Sequence, residues 1–215
     1  MRAVVFANGE MGALAPIRGL IQPEDTIVSV DGGMRHLIAL GFSPDIIIGD
    51  MDSIDPGRLT AMLAMDVEIL QFPTEKDETD LELALDLLRN RGFKECIVVA
   101  ALGGRTDQTL ANIWLLAERN SDDFLISADD GCERVFVVLD DFVLRGTRGD
   151  TVSLIPYAAP VTGISTTGLQ YPLANETLHP DKTRGLSNVL LADQAAIKIK
   201  TGKLLCVHRR ESNCE

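Results

Sequence analysis

The chain has 215 residues, of which 46% are hydrophobic and 24% charged, enough apolar material for one large core or two small ones and far from the composition of a disordered chain. Its formal net charge of −12 argues against nucleic acid and anionic membrane as partners and suits a cationic small molecule. No apolar run is long enough to span a bilayer, and residues 1–6 lack the apolar region and cleavage site of a secretory leader, so a soluble, cytoplasmic protein is expected.

Residues 3–7, 26–30, 45–48, 67–72, 95–102 and 124–127 are short apolar runs that read as strands. Helical spacing lies between them, over residues 11–20, 34–40, 56–65, 81–91 and 109–119. Pro56, preceded by Asp55, is suited to a first helical position. Leu81, Ala84, Leu85 and Leu88 share one helix face, Thr79 and Glu82 have capping-box spacing, and Gly92 marks the stop. In the last of these helices Leu110, Ile113, Trp114 and Ala117 fall on one side. The alternation predicts a mostly parallel sheet flanked by helices.

From about Glu133 the pattern changes to short β-like segments, at residues 135–139, 142–144, 151–155, 195–200 and 203–207, with turn signals between them. They predict an antiparallel β-sandwich or barrel. The expected organisation is an α/β domain over residues 1–130 and an all-β sandwich domain over 131–215. Cys96, Cys132, Cys206 and Cys214 form no C-x-x-C pair and demand no oxidising compartment; Cys96, in an apolar run, reads as a core residue. His36, His179 and His208 are scattered and read as surface or turn histidines.

Acidic clusters sit where the predicted strands end: Asp31-Gly32-Gly33, Asp50-Met51-Asp52-Ser53, Asp77-Glu78-Thr79-Asp80 and Gly103-Gly104-Arg105-Thr106-Asp107-Gln108. In an open α/β sheet ligands bind beyond the carboxyl ends of the strands, so these segments share one edge. Asp50 and Asp52 pointing into one site repel each other unless a cation lies between them, and Mg²⁺ is the usual occupant of an all-oxygen site used with phosphates. Taken singly, Asp31, Thr79, Asp80 and Asp107 could serve as helix caps or first-turn acids, and Gly103-Gly104 as a tight turn. Lys76 and Arg105 are the bases among these acids, suited to phosphate as a point charge and as a fork. The chain has no G-x-x-x-x-G-K-[ST], no G-x-G-x-x-G and no G-x-S-x-G. These residues point to a Mg²⁺-dependent enzyme acting on a phosphate-bearing substrate and leave the acceptor open.

The same segments, in the same order, resemble the thiamine pyrophosphokinase family over nearly the whole chain. The resemblance rests on the four clusters, on Asn112, and on Gly168 to Leu173, Asn175 to Leu178 and Arg184 to Asn188. It implies an α/β domain followed by a β-sandwich, and a homodimer with active sites at the subunit interface. It implies transfer of the pyrophosphoryl group of ATP to the hydroxyl of thiamine. It places Asp50, Asp52 and Asp80 as catalytic Mg²⁺ and ATP carboxylates, with Asp31 and Asp77 nearby. It makes Thr79, Arg105, Asp107 and Gln108 substrate-positioning residues, and Tyr171, Ser187 and Asn188 the thiamine side. Met51 stands where the family often has Phe or Leu, Gln108 where many members have His, and Ala158-Ala159 where a glycine-containing turn is common. Related expectations are a diphosphokinase for 6-hydroxymethylpterin and a thiamine or nucleotide sensor without turnover.

Overall fold

The computed structural model of the chain describes residues 1–50 and 67–214; the predicted helix at 56–65 and the residues Met51 and Asp52 lie outside them. Two units are present, Met1–Gly131 and Cys132–Glu215. In the first, strands β1 (Arg2–Phe6), β2 (Thr26–Val30), β3 (Ile46–Gly49), β4 (Glu68–Gln71), β5 (Glu95–Val99) and β6 (Leu125–Asp129) form a sheet in the order β6-β5-β1-β2-β3-β4. Every described pair in it is parallel, with Val5 opposite Val28 on one side and Val98 on the other. Both faces are covered, which is why these strands are continuous apolar runs in sequence.

Helices α1 (Leu14–Leu20) and α2 (Met34–Leu40) share a core with Val4, Phe6, Ile27, Ile47, Ile97 and Val99. Pro16 falls in the first turn of α1, where a missing N–H removes no helical hydrogen bond. Helix α3 (Asp80–Asn90) buries the predicted stripe of Leu81, Ala84, Leu85 and Leu88 and lies against β2 and β3. Thr79 Oγ1 caps it by accepting from the Glu82 N–H at 3.2 Å. The Glu82 carboxylate accepts from Arg119 Nη2 at 2.7 Å, so only half of the capping box forms.

Helix α4 (Thr106–Arg119) starts three residues earlier than predicted, which brings Asp107 and Gln108 into its first turn. Its predicted apolar side is also wrong in part. Leu116 and Ala117 are buried, whereas Leu110 and Trp114 are about half exposed. Helical spacing fixes which residues share a face but not which face meets the sheet.

The second unit holds two antiparallel layers. One is β12 (Asn188–Val189), β9 (Thr151–Pro156), β14 (Leu204–Arg209) and β7 (Glu133–Val138). The other is β11 (Glu176–Leu178), β10 (Val161–Thr167), β13 (Gln194–Lys198) and β8 (Phe142–Arg145). Their inner faces meet through Phe136, Val152, Leu154, Ile164, Ile197 and Cys206, among others. The all-β sandwich is thus as expected, but β10, β11 and β12 are strands that the sequence pattern does not announce. Cys132 and Cys214 are joined in a disulfide across 82 residues, a pairing their spacing in sequence does not reveal.

Candidate functional site

In the first unit the strand order doubles back at β1: the chain runs outward through β2, β3 and β4, then returns to place β5 on the other side of β1. Such a reversal splays the connecting segments apart and opens a crevice at the carboxyl ends of the strands. A cavity of about 580 Å³ lies there. Its walls include Asn8 and Glu10 after β1, Asp31 after β2, Lys76, Thr79 and Asp80 at the start of α3, and Arg105 and Gln108 at the start of α4.

The backbone passes unusually close to itself at this edge. A Cβ on Gly33 would stand 1.9 Å from the Phe6 carbonyl oxygen, and one on Gly32 would stand 2.3 Å from Asn8 Oδ1. Both glycines of the Asp31-Gly32-Gly33 turn are therefore set by its passage over the end of β1. Asp31 itself is in the left-handed region (φ 50°), unusual for a residue with a side chain. Asn8 Nδ2 donates to its carboxylate at 3.0 Å. Arg35 donates to the carbonyls of Asn8 and Gly9 at 2.7 and 2.8 Å, holding the β1 exit and the start of α2 together.

Asp80 is a partly buried acid of the group. The Lys76 ammonium is 3.0 Å from its Oδ1, with the two side chains 15% and 16% exposed. The approach lies outside hydrogen-bond geometry, so that buried oxygen has a charge beside it and no hydrogen-bond donor among the described residues. Lys76 also donates to the Pro73 carbonyl at 2.8 Å. The end of β3 closes the group: a Cβ on Gly49 would lie 3.5 Å from Asp31 Cα and 3.7 Å from Asp80 Oδ2. Asp50 follows directly and its Oδ2 accepts from Thr74 Oγ1 at 3.5 Å, just outside the cavity wall.

The other predicted positions are more peripheral. Asp77 is exposed and does not line the cavity. Arg105 forks onto Asp107, donating from Nε at 3.1 Å and from Nη2 at 2.6 Å. That bond holds the Asp107 carboxyl below the ordinary carboxylate range and raises Arg105. Asp52 lies outside the described residues. Asn8, Glu10, Arg35 and Asn112 also line the cavity, and of these Asn112 is among the residues that carry the family resemblance. The signal that finds the first two is positional: β1 ends at the same edge as the acidic clusters.

Two histidines overturn the surface reading. His36 is 8% and His208 4% exposed. His36 Nε2 is 3.0 Å from the Gly9 carbonyl oxygen and 3.3 Å from Arg35 Nε. Burial lowers the His36 pKa, outweighing the Gly9 hydrogen bond.

In the second unit Tyr171, Ser187 and Asn188 form one cluster. Asn188 is buried, and its side-chain amide is spent on backbone: Nδ2 donates to the Tyr171 carbonyl at 2.7 Å, and Oδ1 accepts from the Tyr171 and Val189 N–H groups at 3.0 Å. Asn188 thus positions the loop that presents Tyr171, a residue 62% exposed. Ser187 is exposed, has φ 54°, and donates its N–H to Ser153 Oγ at 3.0 Å.

No three His, Cys, Asp or Glu side chains form a metal cage among the described residues. Mg²⁺ does not need one, since it keeps waters and takes one or two carboxylates together with substrate phosphates. The buried, donor-free Oδ1 of Asp80, with Asp31 and Asp50 flanking Gly49, fits that requirement with an all-oxygen donor set.

Comparison with known proteins adds to this geometry. Residues 17–123 match the model described as thiamin pyrophosphokinase, catalytic domain, and residues 142–206 match thiamin pyrophosphokinase, vitamin B1 binding domain. The chain is 25% identical to thiamine pyrophosphokinase of Bacillus subtilis (strain 168) over 205 residues, 94% of this chain and 96% of that one. It is 28% identical to thiamine pyrophosphokinase 1 of Oryza sativa subsp. japonica over 214 residues, covering 87% and 80% of the two chains. The crystal structure of the Bacillus subtilis thiamine pyrophosphokinase superposes with a TM-score of 0.87 at 24% identity, over 98% of this chain and all of that one. Thiamin pyrophosphokinase from Candida albicans has the same fold, with a TM-score of 0.80 at 16% identity over 98% and 89% of the chains.

Proposed function

The chain belongs to the thiamin pyrophosphokinase family, and we propose that it transfers the pyrophosphoryl group of ATP to the hydroxyl of thiamine and releases AMP. The observation that carries this reading is the meeting of Asp31, Lys76, Asp80 and Arg105 around one cavity at the carboxyl edge of the parallel sheet. Asp80 and Asp50, with Asp52, would hold Mg²⁺. That ion, when bound, supplies charge neutralisation and alignment of the phosphate oxygens.

The chain's own residues do the rest by position. Lys76 stands at Asp80 as a point charge for a phosphate oxygen, and the Arg105 fork exchanges Asp107 for phosphate. Thr79 caps α3 and so fixes where Asp80 enters the cavity. Gln108 lines the cavity, while Asp77 and Asp107 stand outside its wall beside Lys76 and Arg105 in the chain. Little covalent chemistry falls to the protein in phosphoryl transfer, so positioning and electrostatics supply most of the rate. On the acceptor side the vitamin B1 binding match supports thiamine over a pterin, with the exposed Tyr171 ring as a face for a planar cation.

Chromatography of ATP, thiamine and Mg²⁺ incubated with the protein tests the reading. AMP and thiamine diphosphate are the expected products. ADP in place of AMP means that a different phosphorus is attacked, and AMP formed with 6-hydroxymethylpterin but not thiamine changes the acceptor. The proposal extends to a cytoplasmic homodimer, for which light scattering should read twice the 23.3 kDa chain mass. No helix among the described residues is long and apolar enough to cross a membrane.

A further inference from the structure

A second cavity, of about 370 Å³, lies within the β-sandwich unit, and three arginines line it: Arg134, Arg145 and Arg210. In a chain with a net charge of −12 that is a local reversal of sign. Its origin is in the strand register. Arg134 pairs with His208 across β7 and β14, as Phe136 pairs with Cys206 and Val138 with Leu204. All six side chains therefore share the inward face. Four fill the core, and at Arg134 and His208 that face turns from apolar to basic.

The arginine in this mouth is preset. The Arg134 guanidinium carbon lies 5.2 Å from the centroid of the Phe136 ring, so the cation is seated on an aromatic face. Its Nε is buried and has no hydrogen-bond acceptor among the described residues. Neither Arg134 nor Arg145 forms an ion pair among the described residues. The acid in the wall of this cavity, Asp150, is engaged by its neighbours. Asp150 accepts from the Thr147 N–H at 2.8 Å, from His208 Nε2 at 2.8 Å and from the Glu211 N–H at 3.3 Å. Glu133 and Glu211 turn to Arg209.

We propose that this mouth of the sandwich binds a small phosphate-class oxyanion, free or as a phosphate monoester, with Arg134 and Arg145 as its principal donors. Planar guanidinium forks match the oxygens of such an anion, and Thr147 adds a hydroxyl at the same wall. The site is separate from the transfer reaction and does not depend on it.

Calorimetry of the full chain with inorganic phosphate, and separately with AMP, tests this. Arg134→Gln and Arg145→Gln should each weaken phosphate binding about tenfold or more. Lys76→Gln, at the other cavity, should leave that binding unchanged. Arg145 is exposed, so its variant should unfold at the wild-type temperature and separates loss of binding from loss of fold. AMP binding that follows the same pattern marks a phosphate monoester, and AMP binding indifferent to both arginines marks the free anion. Phosphate binding lost only in Lys76→Gln, or no saturation of the wild type by about 10 mM, overturns the proposal.

Discussion

Asp80 shows how one side chain is set up by several neighbours. The Thr79 cap fixes its backbone, Lys76 answers its charge, and Gly49 lets β3 approach it without a side chain between. Asp80→Asn keeps the shape and removes the charge, so turnover to AMP should fall by about 10²-fold or more while circular dichroism stays as in the wild type. Near-normal turnover would remove Asp80 from the reaction. His36 tests a different residue-scale property. Its pKa in the folded chain is lowered from 6.5, first by burial, so the unfolded chain binds the extra proton more readily. Stability must then rise with pH through that range and fall as pH drops below about 6.5. His36→Gln keeps a donor for the Gly9 carbonyl and cannot titrate. Melting temperatures of the two proteins should run closer together near pH 7 and above than near pH 5.5, with the wild type losing more on acidification. Parallel curves would mean that His36 is protonated equally in both states.

Helix α3 carries the same logic at the scale of an element. Replacing Thr79 by Ala removes the acceptor for the Glu82 N–H and should cost about 1 kcal/mol, read as a melting temperature roughly 2–4 °C lower. Because Asp80 opens the helix, kcat should fall beyond what the small stability loss explains; an unchanged kcat would make the cap purely structural. This element was also the most legible in sequence, since Leu81, Ala84, Leu85 and Leu88 form an unbroken stripe ending at a glycine stop. The parallel strands were legible for a related reason: burial on both faces leaves continuous apolar runs. Strand β10 was not. Its register with β11 shifts between Val161 and Ile164, around Gly163 at φ 68°, so the two-residue period breaks where a reader looks for it. Strands β11 and β12 have three and two residues, too few to show a period. At the first cavity, Asp31, Lys76, Thr79, Asp80, Arg105 and Gln108 were visible as charged or capping residues at strand ends. Arg35 was not, because its role is to hold two backbone carbonyls, and that contact exists only once α2 lies over the exit of β1.

On the scale of the whole chain, four cysteines divide into two kinds. Cys96 and Cys206 are buried, and burial pushes the Cys206 thiol up to about 12 and the Cys96 thiol higher still, so neither supplies thiolate near neutral pH. Cys132 and Cys214 close a bond at the two ends of the sandwich unit, across 82 residues. A loop of that length restricts the unfolded chain enough to contribute about 4 kcal/mol in the chain-entropy account. A reducing compartment opens such a bond and an oxidising one keeps it closed, and counting thiols separates the two states. Protein purified without reductant should give no reactive thiol when native, two when denatured, and four when denatured and reduced. Four thiols on denaturation alone would mean that Cys132 and Cys214 stand open. Replacing both by Ser should lower the melting temperature of the oxidised protein to that of the reduced one and leave the reduced value in place. The test isolates the bond, because both cysteines lie in the sandwich unit while Asp31, Lys76, Asp80 and Arg105 lie in the other, so AMP release should persist in the doubly substituted chain below its new melting point.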